Sequence, residues 1–160
     1  MQNLPIGVVD TENTSASRNI IRMADATPTL RITHQYANET EAKAFTNLEP
    51  REALNEIAKH CSIAVVKVGK DGSMVKSGED YHFIKSWPAQ PVDATGAGDT
   101  YAAGFLYAHS LGMPLQVCGE IGSIIAAKVV EVVGTKIDIP RWKAAKKEIR
   151  ELIAANTSEA

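Results

Sequence analysis

Asp93-Ala94-Thr95-Gly96-Ala97-Gly98-Asp99-Thr100 sets two close glycines and a carboxylate at the mouth of a segment that reads as a long helix, with no breaker until Gly112. A helix start exposes backbone N–H groups and a partial positive charge, so it seats anions. Glycines let the main chain approach a phosphate closely. A carboxylate in that place repels a phosphate, so Asp99 calls for a separate reason. One is chemical: a base that takes a proton from a hydroxyl while the amides of Gly96, Ala97 and Gly98 hold the group under attack. The other is structural: a strand-to-helix turn with Asp99 as the N-terminal cap, worth about 1 kcal/mol. Spacing alone leaves both open.

Two other glycine loops fit worse. The phosphate loop G-x-x-x-x-G-K-[ST] has no counterpart, because Gly69-Lys70 is followed by Asp71. The dinucleotide pattern G-x-G-x-x-G fails at Tyr101, where its third glycine would stand.

The elements that must position this run alternate along the chain. Thr40–Asn47 and Pro50–His60 read as helices, the second with Leu54, Ile57 and Ala58 on one face. Ile63–Val68 is a β-branched apolar run, which predicts a buried strand. Lys70-Asp71-Gly72 is a turn, and Ser73–Lys76 with Tyr81–Ile84 form a hairpin around Ser77–Asp80. Pro88 and Pro91 mark a non-helical connection into the signature. A helix to about Leu111, a turn at Gly112-Met113-Pro114 and a helix from Leu115 to Val133 follow, with Gly134 as C-terminal cap. Arg141–Ala155 is a last amphipathic helix, and the tail 157–160 frays. Strands alternating with helices predict an α/β layered fold.

Composition agrees. At 44% hydrophobic and 22% charged residues, 160 residues can bury one core, and a net charge of −2 points to neither nucleic acid nor membrane. The start Met1-Gln2-Asn3-Leu4-Pro5 lacks a signal-peptide pattern, and no apolar run suits a bilayer. Cys61 and Cys118 read as free thiols, which suits a reducing, cytoplasmic compartment. His34, His60, His82 and His109 show no metal-ligand spacing.

Asp93–Asp99 resembles the D-T-x-G-A-G-D signature of the ribokinase (phosphofructokinase-B) superfamily, which includes adenosine kinases and many sugar kinases. Ala94 stands where Thr is usual. The likeness runs from about Tyr36 to about Trp142 and takes in Asn38-Glu39-Thr40-Glu41, which is nearest the adenosine-kinase-like branch. It also covers Val66–Gly72 and the helix ending near Gly134. The resemblance implies a ribokinase-like layered α/β sandwich, of which this chain is the C-terminal, nucleotide-binding half with an incomplete central sheet. Residues 36–156 would form that half, and 1–35 an atypical N-terminal segment. Within it Thr11–Ser17 is a small-polar run, and Thr29–Gln35 is half polar where the family has a buried apolar strand. The family's glycine-pair motif, further strands and lid have no counterpart, as in a truncated or rearranged reading frame.

The activity implied is transfer of the ATP γ-phosphoryl to a hydroxymethyl group of a sugar or nucleoside, with Asp99 as base and the amides of Gly96, Ala97 and Gly98 as anion hole. By the same resemblance, Asn38 and Glu41 help hold magnesium, partly through water. Asn with Glu three residues on is equally a capping box. Lys67, Gly69, Lys70 and Gly72 belong to the nucleotide-contacting turn, which is also a plain tight turn. Ser123 aligns near the adenine, although helical periodicity makes it a neutral face residue. Asp93, Thr95, Val129, Val132 and Gly134 align with a loop that holds a monovalent cation, K+, in part of the family. A non-catalytic nucleotide-binding or structural half-domain is the alternative. A cut sheet would also expose apolar surface and unpaired edges, which favours a homo-oligomer.

Overall fold

The computed structural model describes the backbone of residues 4–9 and 30–157, and side chains from residue 36 onward. The small-polar run Thr11–Ser17 and the last three tail residues lie outside the described residues. Five strands form one sheet in the order β1-β2-β3-β4-β5: Leu4–Val9, Leu30–Asn38, Ile63–Lys67, Ser73–Ser77 and Asp80–Ile84. β1 and β2 run parallel, as do β2 and β3, while β3 and β4 are antiparallel, so the sheet is mixed. Five α-helices are described: α1 (Glu39–Thr46), α2 (Pro50–Ile57), α3 (Ala97–Ser110), α4 (Leu115–Val130) and α5 (Ile139–Thr157). The chain divides into two compact units, residues 1–69 with 73–82, and residues 70–72 with 83–160.

In the first unit, β2 forms despite the polar content of its early residues, because both of its edges are paired. Tyr36, Val65 and Val75 lie in register across three strands, and Ala37, Val66 and Met74 form the adjacent row. Both rows are buried, which is why β3 reads as a continuous apolar run rather than an alternating one. α1 and α2 cover the second row, where Ala42, Ala53, Leu54 and Ile57 close a core with Ala37, Ala64, Val66 and Met74. Pro50 opens α2 at the one helical position that tolerates a missing N–H. The β4–β5 turn is the two-residue Gly78-Glu79 link, shorter than the four-residue loop its sequence suggested.

The second unit is built on α3 and α4. Phe105, Ile121, Ile124, Cys118 and Val129 are fully buried there. Small residues bring the two helices together: a Cβ on Gly122 would lie 2.8 Å from the Tyr101 carbonyl oxygen. α5 starts two residues before its expected position, since Asp138 Oδ1 accepts from the Arg141 N–H (2.9 Å) and Pro140 sits in the first turn, where it does no harm.

One expectation is corrected. Gly134 does not cap α4; the helix ends at Val130, with Glu131 as its C-terminal cap. The Val130 carbonyl accepts instead from Val92 N–H (2.7 Å) and Asp93 N–H (3.1 Å), so the incoming signature segment satisfies the helix end. Gly134, at φ +77°, belongs to the next loop.

Candidate functional site

At the C-terminal ends of the parallel strands β2 and β3, Asn38 and Lys67 are register partners. Ligands of open α/β sheets gather at this end of the strands. Asn38 caps α1: its Oδ1 accepts from Glu41 N–H (2.9 Å), and Glu41 Oε2 accepts from Asn38 N–H (2.7 Å). The capping box is therefore present. Each carboxylate carries two acceptor oxygens, so Glu41 Oε1 has no partner among the described residues, and Glu41 is half-buried. No group of three or more metal-ligating side chains occurs among the described residues.

After Lys67 the chain turns through a short 3₁₀ segment, Gly69–Asp71, into β4. Gly72 ends this turn at φ +125°, and a Cβ there would fall 2.0 Å from the Ile84 carbonyl oxygen. No other residue fits without moving main chain. Lys70 presents its carbonyl to the Ser86 hydroxyl, which donates to it. Ser86 carried no sequence signal for this role.

Ser123 is buried on α4, and its Oγ accepts from Trp87 N–H (2.7 Å) and donates to the Lys85 carbonyl (3.5 Å). It is thus not a neutral face residue. Its hydroxyl ties the segment after β5 to the helix, and burying a bonded hydroxyl avoids the penalty of an orphaned one.

Gly96 is the residue before α3, in the left-handed conformation at φ +77°. A Cβ on it would meet Thr135 Cγ2 at 2.6 Å, so the torsion favours glycine and any other residue would also have to push the Thr135 side chain aside. The reading of Asp99 as the helix cap is corrected here. Gly96 occupies the cap position, no side chain caps the helix, and Asp99 is the third helical residue. Asp99 is exposed and makes no hydrogen bond or ion pair among the described residues. A carboxylate in the first turn is favoured by the helix dipole, and this one keeps both oxygens available. Ala97 N–H turns back to the Ala94 carbonyl (3.2 Å). The N–H groups of Gly96, Gly98 and Asp99 keep no partner among the described residues.

Asp93 holds this turn. Its Oδ1 accepts from Thr95 N–H (2.9 Å) and Thr95 Oγ1 (2.7 Å), and its Oδ2 accepts from Gly134 N–H (2.8 Å). The Gly134 amide, and after it the Thr95 hydroxyl and amide, hold the Asp93 carboxyl below its ordinary range. Thr135 is the residue that sequence reasoning missed. Nothing in its neighbourhood signalled that it would seat against Gly96 from 39 positions away.

Neither Cys61, half-buried, nor Cys118, buried, is in a disulfide, and burial pushes the Cys118 thiol up to about 11. No helix among the described residues is long and apolar enough to cross a membrane.

Residues 17–142 match the pfkB family carbohydrate kinase profile, a match that starts within the first 35 residues. A nucleoside kinase from Methanocaldococcus jannaschii is 33% identical over 108 residues, which are 67% of this chain and 35% of that protein. The adenosine kinase of Sinorhizobium meliloti superposes on 91% of this chain and 45% of its own, with a TM-score of 0.74 at 29% identity. A ribokinase from Thermotoga maritima matches 72% of this chain and 42% of its own with a TM-score of 0.65. At 22% identity it speaks for the fold alone, which is ribokinase-like α/β. The chain spans less than half the length of each of these relatives. With the signature, the turn and helices α1 to α4 all inside the matched stretch, the chain belongs to the pfkB family of carbohydrate kinases.

Proposed function

We propose that this chain is the nucleotide-handling part of an ATP-dependent kinase acting on a hydroxymethyl group of a sugar or nucleoside. The observation that carries the reading is Asp99, exposed and without a partner among the described residues, one turn beyond a left-handed glycine and beside the open amides of Gly98 and its own main chain. In this reading Asp99 accepts the proton of the acceptor hydroxyl as that oxygen forms a bond to the γ-phosphorus. The bond from that phosphorus to the β–γ bridging oxygen breaks, and ADP leaves with the electron pair. General-base help of this kind is worth about 10²–10⁴-fold. Charge on the transferring group is met by the amides of Gly96, Gly98 and Asp99, each worth about 3 kcal/mol by analogy with oxyanion holes.

ATP would lie along the Gly69–Gly72 turn and α4. Ser123 would act at the adenine end through Trp87 and Lys85, whose main chain it holds. Magnesium suits the residues present, because that ion is usually bound by one or two carboxylates, water and substrate phosphates. Glu41 Oε1, steadied by the cap that Asn38 makes, would hold it through water, where it would neutralise phosphate charge. Potassium would rest mostly on main-chain carbonyls around Asp93, Thr95, Val129, Val132 and Gly134, and would find little room on the Asp93 carboxylate itself. Three of the roughly four acceptor positions of the Asp93 carboxylate are taken by N–H and O–H donors of the chain itself. A cytoplasmic location and self-association complete the proposal.

The second reading is a non-catalytic half-domain, nucleotide-binding or structural; the chain spans 45% of the adenosine kinase it superposes on. Calorimetry with ATP and magnesium beside a phosphoryl-transfer assay on a sugar and nucleoside panel separates the two. Transfer to a primary alcohol is the expected result. Binding without transfer supports a nucleotide-binding half-domain, and absence of ATP binding leaves only the structural one.

A further inference from the structure

We propose that Asp93 is a positioning residue, a hydrogen-bonded latch that sets the Gly96 turn from within the chain and needs no bound cation to do so. The inference rests on the kinase reading for its effect on phosphate binding, and on geometry alone for the latch itself.

The carboxylate joins two loops that are 41 residues apart in sequence, through Gly134 N–H at 2.8 Å. On its own side it binds both the main-chain and the side-chain donor of Thr95, at 2.9 and 2.7 Å. Asp93 N–H and Val92 N–H bond the Val130 carbonyl, so the segment is fastened on both sides of the carboxylate. Holding Gly134 brings Thr135 against Gly96, where a Cβ would lie 2.6 Å from Thr135 Cγ2. The latch therefore determines where the left-handed turn sits, and through it the direction of the Gly98 and Asp99 amides. Hydrogen bonds to a charged acceptor are about twice as strong as neutral ones, so a carboxylate does this better than an amide side chain would. A cation placed on the same oxygens would find three of their roughly four acceptor positions already filled by donors of the chain.

The test uses the whole chain, labelled with ¹⁵N, with Asp93→Asn and Asp93→Ala as variants. Circular dichroism first establishes that each variant is folded; if Asp93→Ala is not, Asp93→Asn alone carries the comparison. In the native protein the Gly134 amide should resonate at low field and exchange slowly. In Asp93→Asn its exchange should speed up at least tenfold, and an unchanged Gly134 amide overturns the latch. Replacing sodium by potassium at equal ionic strength should leave that amide unmoved; a saturable, potassium-specific shift would show a cation site and overturn the claim.

The positioning role is read by comparing ATP with AMP, since only the former reaches the turn with its outer phosphates. A loss of about tenfold in ATP affinity, with AMP affinity retained, is expected in a folded variant. Equal losses for both nucleotides mean a merely structural residue. If the native chain does not respond to ATP while its Gly134 amide behaves as described, the kinase reading falls and the latch stands as a feature of the fold.

Discussion

Asp99 and Asp93 are six residues apart and do opposite things. The Asp93 carboxylate accepts three hydrogen bonds from its own chain, whereas that of Asp99, exposed at the third position of α3, accepts none from the described residues. A carboxylate kept out of local hydrogen bonds on a helix start is free for a proton that arrives with a substrate. Asp99→Asn keeps the size of the side chain and removes the base, so wherever transfer is measurable it should fall at least a hundredfold. ATP affinity by calorimetry should stay within a few-fold, and equal turnover of variant and parent would remove Asp99 from the mechanism. Gly96→Ala acts differently. It forces a Cβ onto Thr135 at a left-handed torsion, and strain of that kind is worth roughly 1–2 kcal/mol before any contact is counted. Denaturant unfolding should show a loss at least that large.

Helix ends in this chain are finished by side chains and loops rather than by propensity. α1 is closed by the reciprocal Asn38–Glu41 cap, and Asn38→Ala should lower stability by about 1 kcal/mol in denaturant titrations. α5 is started by Asp138, which accepts the Arg141 N–H and pairs with the Arg141 guanidinium. These interactions, the Arg141 N–H first, hold the Asp138 carboxyl below its usual value of 3.8. A depressed carboxyl stabilises the fold above its unfolded value, and that stabilisation is lost as pH falls through the lower folded value. Asp138→Ala should therefore be less stable than the native chain at pH 7, with the gap shrinking between pH 4 and pH 2. A gap that is the same at both ends would show that Asp138 does nothing as an anion. α4 ends three residues earlier than its apolar pattern suggests, because Val92 and Asp93 donate to its last carbonyl.

Each compact unit has its own buried set, aliphatic between α2 and the sheet, and centred on Phe105 between α3 and α4. Removing a fully buried ring leaves a cavity as well as lost transfer energy, so Phe105→Ala should destabilise by about 3–5 kcal/mol. Far-UV thermal melts check this, and a melting point within a degree of the native one would place the ring outside the core. The chain covers under half of each kinase relative cited, so the acceptor that the proposed enzyme uses is best sought by assay.

Residue order alone was enough for the signature, the α/β alternation, the buried strand at Ile63 and the helices on either side of Gly112-Met113-Pro114. Those features are local: turn residues, β-branched runs and helical periodicity act within a few positions of one another. It did not yield the nine-residue strand β2, whose early polar residues look unlike an interior strand until neighbours pair both of its edges. Nor did it yield the shortened end of α4, the bonded hydroxyl of Ser123, or Thr135 against Gly96. In each of these the partner comes from at least 20 residues away, and a one-dimensional pattern carries no record of which distant donor will meet which acceptor. Only chain folding brings Gly134 to Asp93, and with that bond the turn that presents Asp99 takes its shape.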